Sequence, residues 1–161
     1  TNSSPLRGGT WHQSHAVVFD GCVWGKSSEE EVTSICARWV DKHIIGLELC
    51  PFAAPARRAT RFRVSSAPSV DTFLQEFDEE LRLLAGTLRE EKAATTLFIL
   101  PPRAAGDWHV FMEEYYQAAQ EEVSRAGLSE SIQLVPFHPD STYSDFPDDC
   151  ADYALRSPFP T

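Results

Sequence analysis

The sequence predicts a single α/β domain: a small, mostly parallel sheet built from two β-α-β crossovers, with an N-terminal hairpin arm. Three observations lead there. Between residues 61 and 137, apolar segments alternate in the order strand, helix, strand, helix, strand, and such crossovers run parallel and right-handed. Residues 95–100 form an unbroken apolar run closed by Pro101-Pro102, the pattern of a strand buried on both faces. The chain has 161 residues, 42% of them hydrophobic, enough for one domain with a real core. The arm is expected over residues 1–26 and the α/β domain over residues 27–161.

Each element has a local reason. Residues 1–10 are polar, with Pro5 and Gly8-Gly9, and read as a loose arm. Asp20-Gly21 between the apolar runs 15–19 and 22–24 is a hairpin signal. Ser28 and Glu31 have the spacing of a capping box. After them Val32, Ile35, Cys36, Trp39, Val40, Ile44 and Leu47 recur at the helical period, with Gly46 as the stop. Residues 61–65 read as a short strand. Ser69 caps a second helix carrying Val70, Phe73, Phe77, Leu81, Leu84 and Leu88 on one face. Asp107 caps a third, with Trp108, Phe111, Met112, Tyr115, Ala119 and Val123, ended by Gly127. Residues 132–137 are the next strand, near an edge because Pro136 cannot donate to a ladder. Pro147 opens a last short helix through Tyr153.

Charge and composition exclude several functions. The formal net charge is -10, so the chain lacks the basic footprint of a nucleic-acid binder. No apolar run approaches the length of a transmembrane segment. The four cysteines, Cys22, Cys36, Cys50 and Cys150, contain no C-x-x-C pair, which disfavours a zinc knuckle or a dithiol redox motif. Reduced thiols point to the cytoplasm, or to a plastid stroma or mitochondrial matrix after removal of a targeting peptide. No set of histidines, cysteines and carboxylates has ligand spacing, so no metal is expected. No glycine-rich phosphate loop is present, and no cofactor is expected.

The candidate chemistry sits in three proline-locked clusters: Gly46-Leu-Glu-Leu-Cys-Pro-Phe-Ala53, Phe137-His-Pro-Asp140 and Arg156-Ser-Pro-Phe-Pro160. Proline fixes its own φ and restrains its predecessor, which holds Cys50, His138 and Ser157 on stiff backbone. Cys50 is a candidate nucleophile, His138 its base and Asp140 the group that orients the imidazole. Arg156 and Ser157, with Arg61 from the Arg57, Arg58, Arg61, Arg63 cluster, are candidate ligands for an anionic small molecule. The alternative assignments are structural: Cys50 as a small apolar group, His138 as a turn cap, and the arginines as ion-pair partners.

These clusters carry a resemblance. Gly46-Leu47, Leu49-Cys-Pro-Phe-Ala53, Arg61 with Val64-Ser65, Thr95-Thr-Leu97 with Ile99 and Pro101, Phe137-His-Pro-Asp140 and Arg156-Ser-Pro-Phe-Pro-Thr161 resemble the domain-of-unknown-function family 1415 of bacteria and eukaryotes. The similarity runs from about Trp39 to Thr161. It implies candidate positions rather than an activity. Leu155 stands where that family usually has asparagine. The hairpin arm lies outside the resemblance, and its Trp11 and Trp24 read as interface anchors for a protein partner.

Two classes of function follow. One is a small enzyme or small-molecule binder acting on an anionic ligand through Cys50, His138 and Arg156. The other is a non-catalytic accessory subunit of a larger complex, an organellar one included, attached through its N-terminal arm.

Overall fold

The computed structural model describes residues 28–88, 94–101, 105–142 and 150–161. The hairpin arm, Pro102, Tyr143 and Pro147 lie outside the described residues. What remains is one mixed helix-and-strand domain with a small parallel sheet. No described helix is long and apolar enough to cross a membrane.

Helix α1 (Glu29–Trp39) starts as its capping residue dictates: Ser28 Oγ accepts from the Glu31 N–H at 3.2 Å. Its buried face is Val32, Ile35, Cys36 and Trp39. The helix then widens into a π-helical stretch, Val40–Ile45. There the Gly46 N–H reaches five residues back to the Asp41 carbonyl at 3.1 Å. Gly46 stops the helix for a reason other than a left-handed φ, since its φ is -65°. A Cβ there would stand 2.4 Å from the Lys42 carbonyl oxygen. The left-handed position falls two residues later, on Glu48 with φ 55°.

After the short helix α2 (Ala53–Ala56) and a 3₁₀ turn (Arg57–Ala59), strand β1 (Thr60–Val64) crosses through helix α3 (Val70–Leu88) to strand β2 (Thr95–Ile99). The strands pair in parallel with Phe62 opposite Leu97. A third helical rod follows: α4 (Trp108–Val110), a π-helical stretch (Phe111–Tyr116) and α5 (Gln117–Arg125). Asp107 Oδ1 caps it, accepting from the His109 and Val110 N–H groups at 2.9 and 3.1 Å. Gly127, at φ 69°, ends it. Helix α6 (Cys150–Leu155) comes last.

Alternation along β2 builds the layers. Leu97 and Ile99 face α1, packing with Val32, Ile35, Cys36 and Phe159. Phe98 faces the other way, into the cluster of Phe73, Phe77, Leu81, Trp108, Phe111 and Tyr115. Phe73 centres that layer, with ring centroids 5.5 Å from Phe77, 5.5 Å from Phe98 and 5.3 Å from Tyr115.

The second crossover differs from expectation. Residues 132–137 run beside the sheet without joining it, and among the described residues the sheet has two strands. The C-terminal residues lie between instead. The Leu100 N–H donates to the Pro160 carbonyl at 2.8 Å. Phe137 and Thr161 exchange both backbone bonds, at 2.9 and 2.8 Å. Trp39 Nε1 donates to the Arg156 carbonyl at 3.1 Å, and Phe159 is 3% exposed beneath α1.

Phe159→Ala should therefore cost about 3–5 kcal/mol by loss of packing in a well-filled core, read as the urea midpoint. Gly86→Ala should add about 0.5–1 kcal/mol, because it removes a flexible residue from a helix interior where a Cβ meets nothing within 4 Å. Gly46→Ala should lower stability, since the Lys42 carbonyl must move.

Candidate functional site

The π-helical stretch delivers the first proline cluster to one edge of the domain. The Leu49 N–H closes onto the Ile44 carbonyl at 3.0 Å, and the Ala53 N–H onto that of Cys50 at 3.2 Å. Cys50 comes to rest partly buried against the cluster of Trp39, Val40 and Ile44, on which Phe62, Leu97 and Phe137 also pack. Leu47, Leu49 and Phe52 stay exposed, Phe52 by 77%. Exposed aromatic and aliphatic side chains grouped on one short loop are unusual on a folded surface.

Beside this loop lies a cavity of about 540 Å³. It opens between β2 and residues 131–137, and its walls come from both layers. Cys50, Phe52 and Leu97 stand on the α1 side, and Phe77, Phe98 and Tyr115 on the other. Glu80 and Thr96 add polar atoms, and among the described residues no lysine or arginine lines it. Burial, then the nearby Glu114 charge, pushes the Tyr115 hydroxyl above its ordinary value, so it stays neutral.

The second and third clusters are placed elsewhere. His138 is 2% exposed, with its ring 5.9 Å from Trp108 and 5.4 Å from Phe111. It does not line the cavity, although Phe137 before it does. Its Nδ1 accepts the Asp140 backbone N–H at 3.0 Å, which leaves the proton of the neutral ring on Nε2. That Nε2 and Ser141 Oγ are buried without a hydrogen-bond partner among the described residues. Burial pulls the His138 pKa below its ordinary value. The Asp140 charge, the Gly106 backbone and the Asp107 charge oppose that fall without reversing it. Ser157 is buried, and its Oγ donates to the Phe159 carbonyl. Arg156 Nε donates to the Ser141 carbonyl at 3.4 Å.

Arg57, Arg61 and Arg63 of the arginine cluster are paired. Arg61 grips Glu80 through Nη2 at 2.9 Å and Nε at 3.2 Å. Arg57 holds Asp41 at 2.6 and 3.1 Å and lies over the Phe62 ring at 5.4 Å. Arg63 approaches Glu76 at 3.5 Å. Arg61, Arg156 and Ser157 thus bind the protein's own groups, and only Cys50 of the sequence-derived candidates lines the cavity.

A family model described as "Protein of unknown function (DUF1415)" matches residues 31–161. The chain belongs to this family. No curated protein and no solved structure matches it. The match spans α1 to Thr161 and so takes in the Cys50 loop, both walls of the cavity and the C-terminal segment. In this DUF1415 domain Glu80 and Tyr115 escape a motif reading, and Thr96 lies within the Thr95-Thr-Leu97 motif without being singled out as a site residue. Of the first two, Glu80 carries a sequence signal, a carboxylate on the apolar face of α3 between Phe77 and Leu81.

Two measurements check the electrostatics. His138 is harder to protonate folded than unfolded, so the unfolded state takes up the extra proton. Stability should be full above the ordinary histidine value of 6.5 and fall as pH drops below it. His138→Asn, which keeps an acceptor near Nδ1, should flatten that fall in urea midpoints measured against pH. Burial also pushes the Cys36 thiol up to about 12. Iodoacetamide at pH 8, mapped by mass spectrometry, should therefore modify Cys50 long before Cys36.

Proposed function

We propose that this DUF1415 domain is a binding module that takes an apolar ligand into the cavity beside Cys50. The carrying observation is the lining: apolar walls from two layers, a few polar atoms, among them a Glu80 carboxylate already paired with Arg61, and no cationic side chain among the described residues. At about 540 Å³ the cavity is in the size range of ligand sites. Leu47, Leu49 and Phe52 extend the apolar surface outwards from its mouth, which supports capture of a partner over turnover of a solute.

This reading gives Cys50 the role of a wall residue at the entrance. The enzyme reading, with Cys50, His138 and Asp140 as a relay on an anion held by Arg61, Arg156 and Ser157, has less support. Its histidine has Nδ1 committed to a backbone N–H and a ring packed on Trp108 and Phe111. Its arginines have partners of their own. The accessory-subunit class fits a binding module well.

Nile red, a neutral apolar dye, tests the proposal. It should bind one site with a blue-shifted emission and slow the alkylation of Cys50. Ala56→Trp, which fills the cavity from its lining, should weaken binding about tenfold or more, as the loss of a buried apolar contact area predicts. Dye binding that Ala56→Trp leaves unchanged, or no binding at all, would remove the cavity as the ligand site.

A further inference from the structure

Residues 42–56 leave the helical line of α1 and come back beside it. Asp41 and Arg57 close the neck of this loop, with Arg57 Nε 2.6 Å and Nη2 3.1 Å from the two carboxylate oxygens. Within residues 46–55 every residue but Cys50 and Ala53 is exposed. The tip is apolar: Leu47 is 62% exposed, Leu49 45% and Phe52 77%. Glu48 is the one charge on it. Its left-handed φ of 55°, strained for a residue with a Cβ, reverses the chain between the two leucines.

The tip offers little backbone to a partner. The Gly46, Leu47, Glu48 and Leu49 N–H groups donate back to the Asp41, His43, Ile45 and Ile44 carbonyls at 3.0–3.1 Å. The Ala53 and Ala56 N–H groups donate to the Cys50 and Phe52 carbonyls at 3.2 Å. Pro51 and Pro55 have no N–H. A docking strand finds few donors here, whereas an apolar medium takes a tip whose donors are already bonded without leaving them unsatisfied. Around the neck the charge is positive. Residues 38–63 hold six basic side chains and two acidic ones, in a chain of formal net charge -10. Arg57, Arg61 and Arg63 are paired. Arg38, Lys42 and Arg58 are exposed, and none of them has an ion-pair partner among the described residues.

We infer that residues 46–55 dock this domain on an anionic membrane surface. Leu47, Leu49 and Phe52 enter the headgroup region, and Arg38, Lys42 and Arg58 meet lipid phosphates. Apolar side chains at a tip with cations at its base supply the two signals that interfacial binding needs. A stable protein interface draws on roughly 20–30 residues a side, far more than this tip presents. The N-terminal arm is a poor cover for it: Arg7 and Lys26 outweigh the arm's single acid, Asp20, so like charges meet at the neck. The acidity of the rest of the chain does not cancel the attraction, because exposed charges beyond about 8–10 Å are largely screened at physiological salt. Glu48 on the tip opposes docking, which supplies a variant of opposite sign. This inference goes beyond the binding-module reading and does not depend on the cavity.

Vesicle flotation tests it. The full chain is mixed with vesicles of phosphatidylcholine alone, or of equal parts phosphatidylcholine and phosphatidylglycerol. It should float with the anionic vesicles and not with the neutral ones, and added salt should release it. Phe52→Ser should lower the partition coefficient about tenfold or more, as the loss of one inserted aromatic side chain predicts. Arg58→Glu should lower it about tenfold or more as well. Arg125→Glu makes the same charge change at the end of α5 and should leave it within about twofold. Glu48→Gln should raise it about fivefold. All four side chains are exposed, and unchanged urea midpoints check that the variants fold. Equal flotation with neutral vesicles, equal effects of Arg58→Glu and Arg125→Glu, or no effect of Phe52→Ser overturns membrane docking. A wild-type chain that floats with neither vesicle also overturns it, because its tip is then covered by protein, its own or a partner's. If the chain floats and Nile red does not bind, the cavity reading fails and membrane docking stands.

Discussion

The insertion of residues 156–161 between α1, β2 and the 137–138 turn is the interaction on which the rest of this domain depends. Four backbone or indole hydrogen bonds tie that segment to parts of the chain far away in sequence: Trp39 to Arg156, Leu100 to Pro160, and Thr161 to Phe137 in both directions. Phe159 completes the layer under α1 at the same time. A two-stranded parallel sheet offers little free-standing stability. The segment compensates by joining sheet, helix and turn through one short stretch.

Its prolines suit the position. Pro160 contributes only a carbonyl, and only a carbonyl is asked of it. Ser157 turns its hydroxyl back on the Phe159 carbonyl, satisfying a buried group within the segment. The three proline clusters thus divide their labour. The Arg156 and Phe137 clusters assemble the domain around each other, and the Cys50 cluster presents an apolar rim to the outside. His138 belongs with assembly: its ring packs on Trp108 and Phe111 and its Nδ1 closes the turn through Asp140.

Much of this was legible in local sequence, because caps and periodicity are local physics. Ser28 and Asp107 cap the helices they were expected to cap, and the apolar stripes of α1 and α3 face the core. The family membership was legible through its motifs. The fate of residues 132–137 was not. Their apolar, β-rich composition fits a strand, but a strand is defined by its neighbour, and here the neighbour is a proline-rich stretch more than twenty residues downstream. Gly46 was legible as a stop, though not the reason, which is the close approach of the Lys42 carbonyl in a π-helical turn. For the candidate site, Cys50 stood out by its proline, whereas Thr96 and Tyr115 look like ordinary strand and helix residues until the cavity between them exists. Burial of His138 is likewise invisible to residue type.

The Trp39 to Arg156 bond spans 117 positions. During synthesis α1, β1 and β2 emerge long before the residues that lock them together. Until residues 156–161 leave the ribosome, the nascent domain holds an incomplete layer under α1 and an open strand edge on β2. Contacts so distant in sequence close late and slow the search for the native state. The layer under α1 therefore closes only after residues 156–161 have been made, however early the helix and strands around it form.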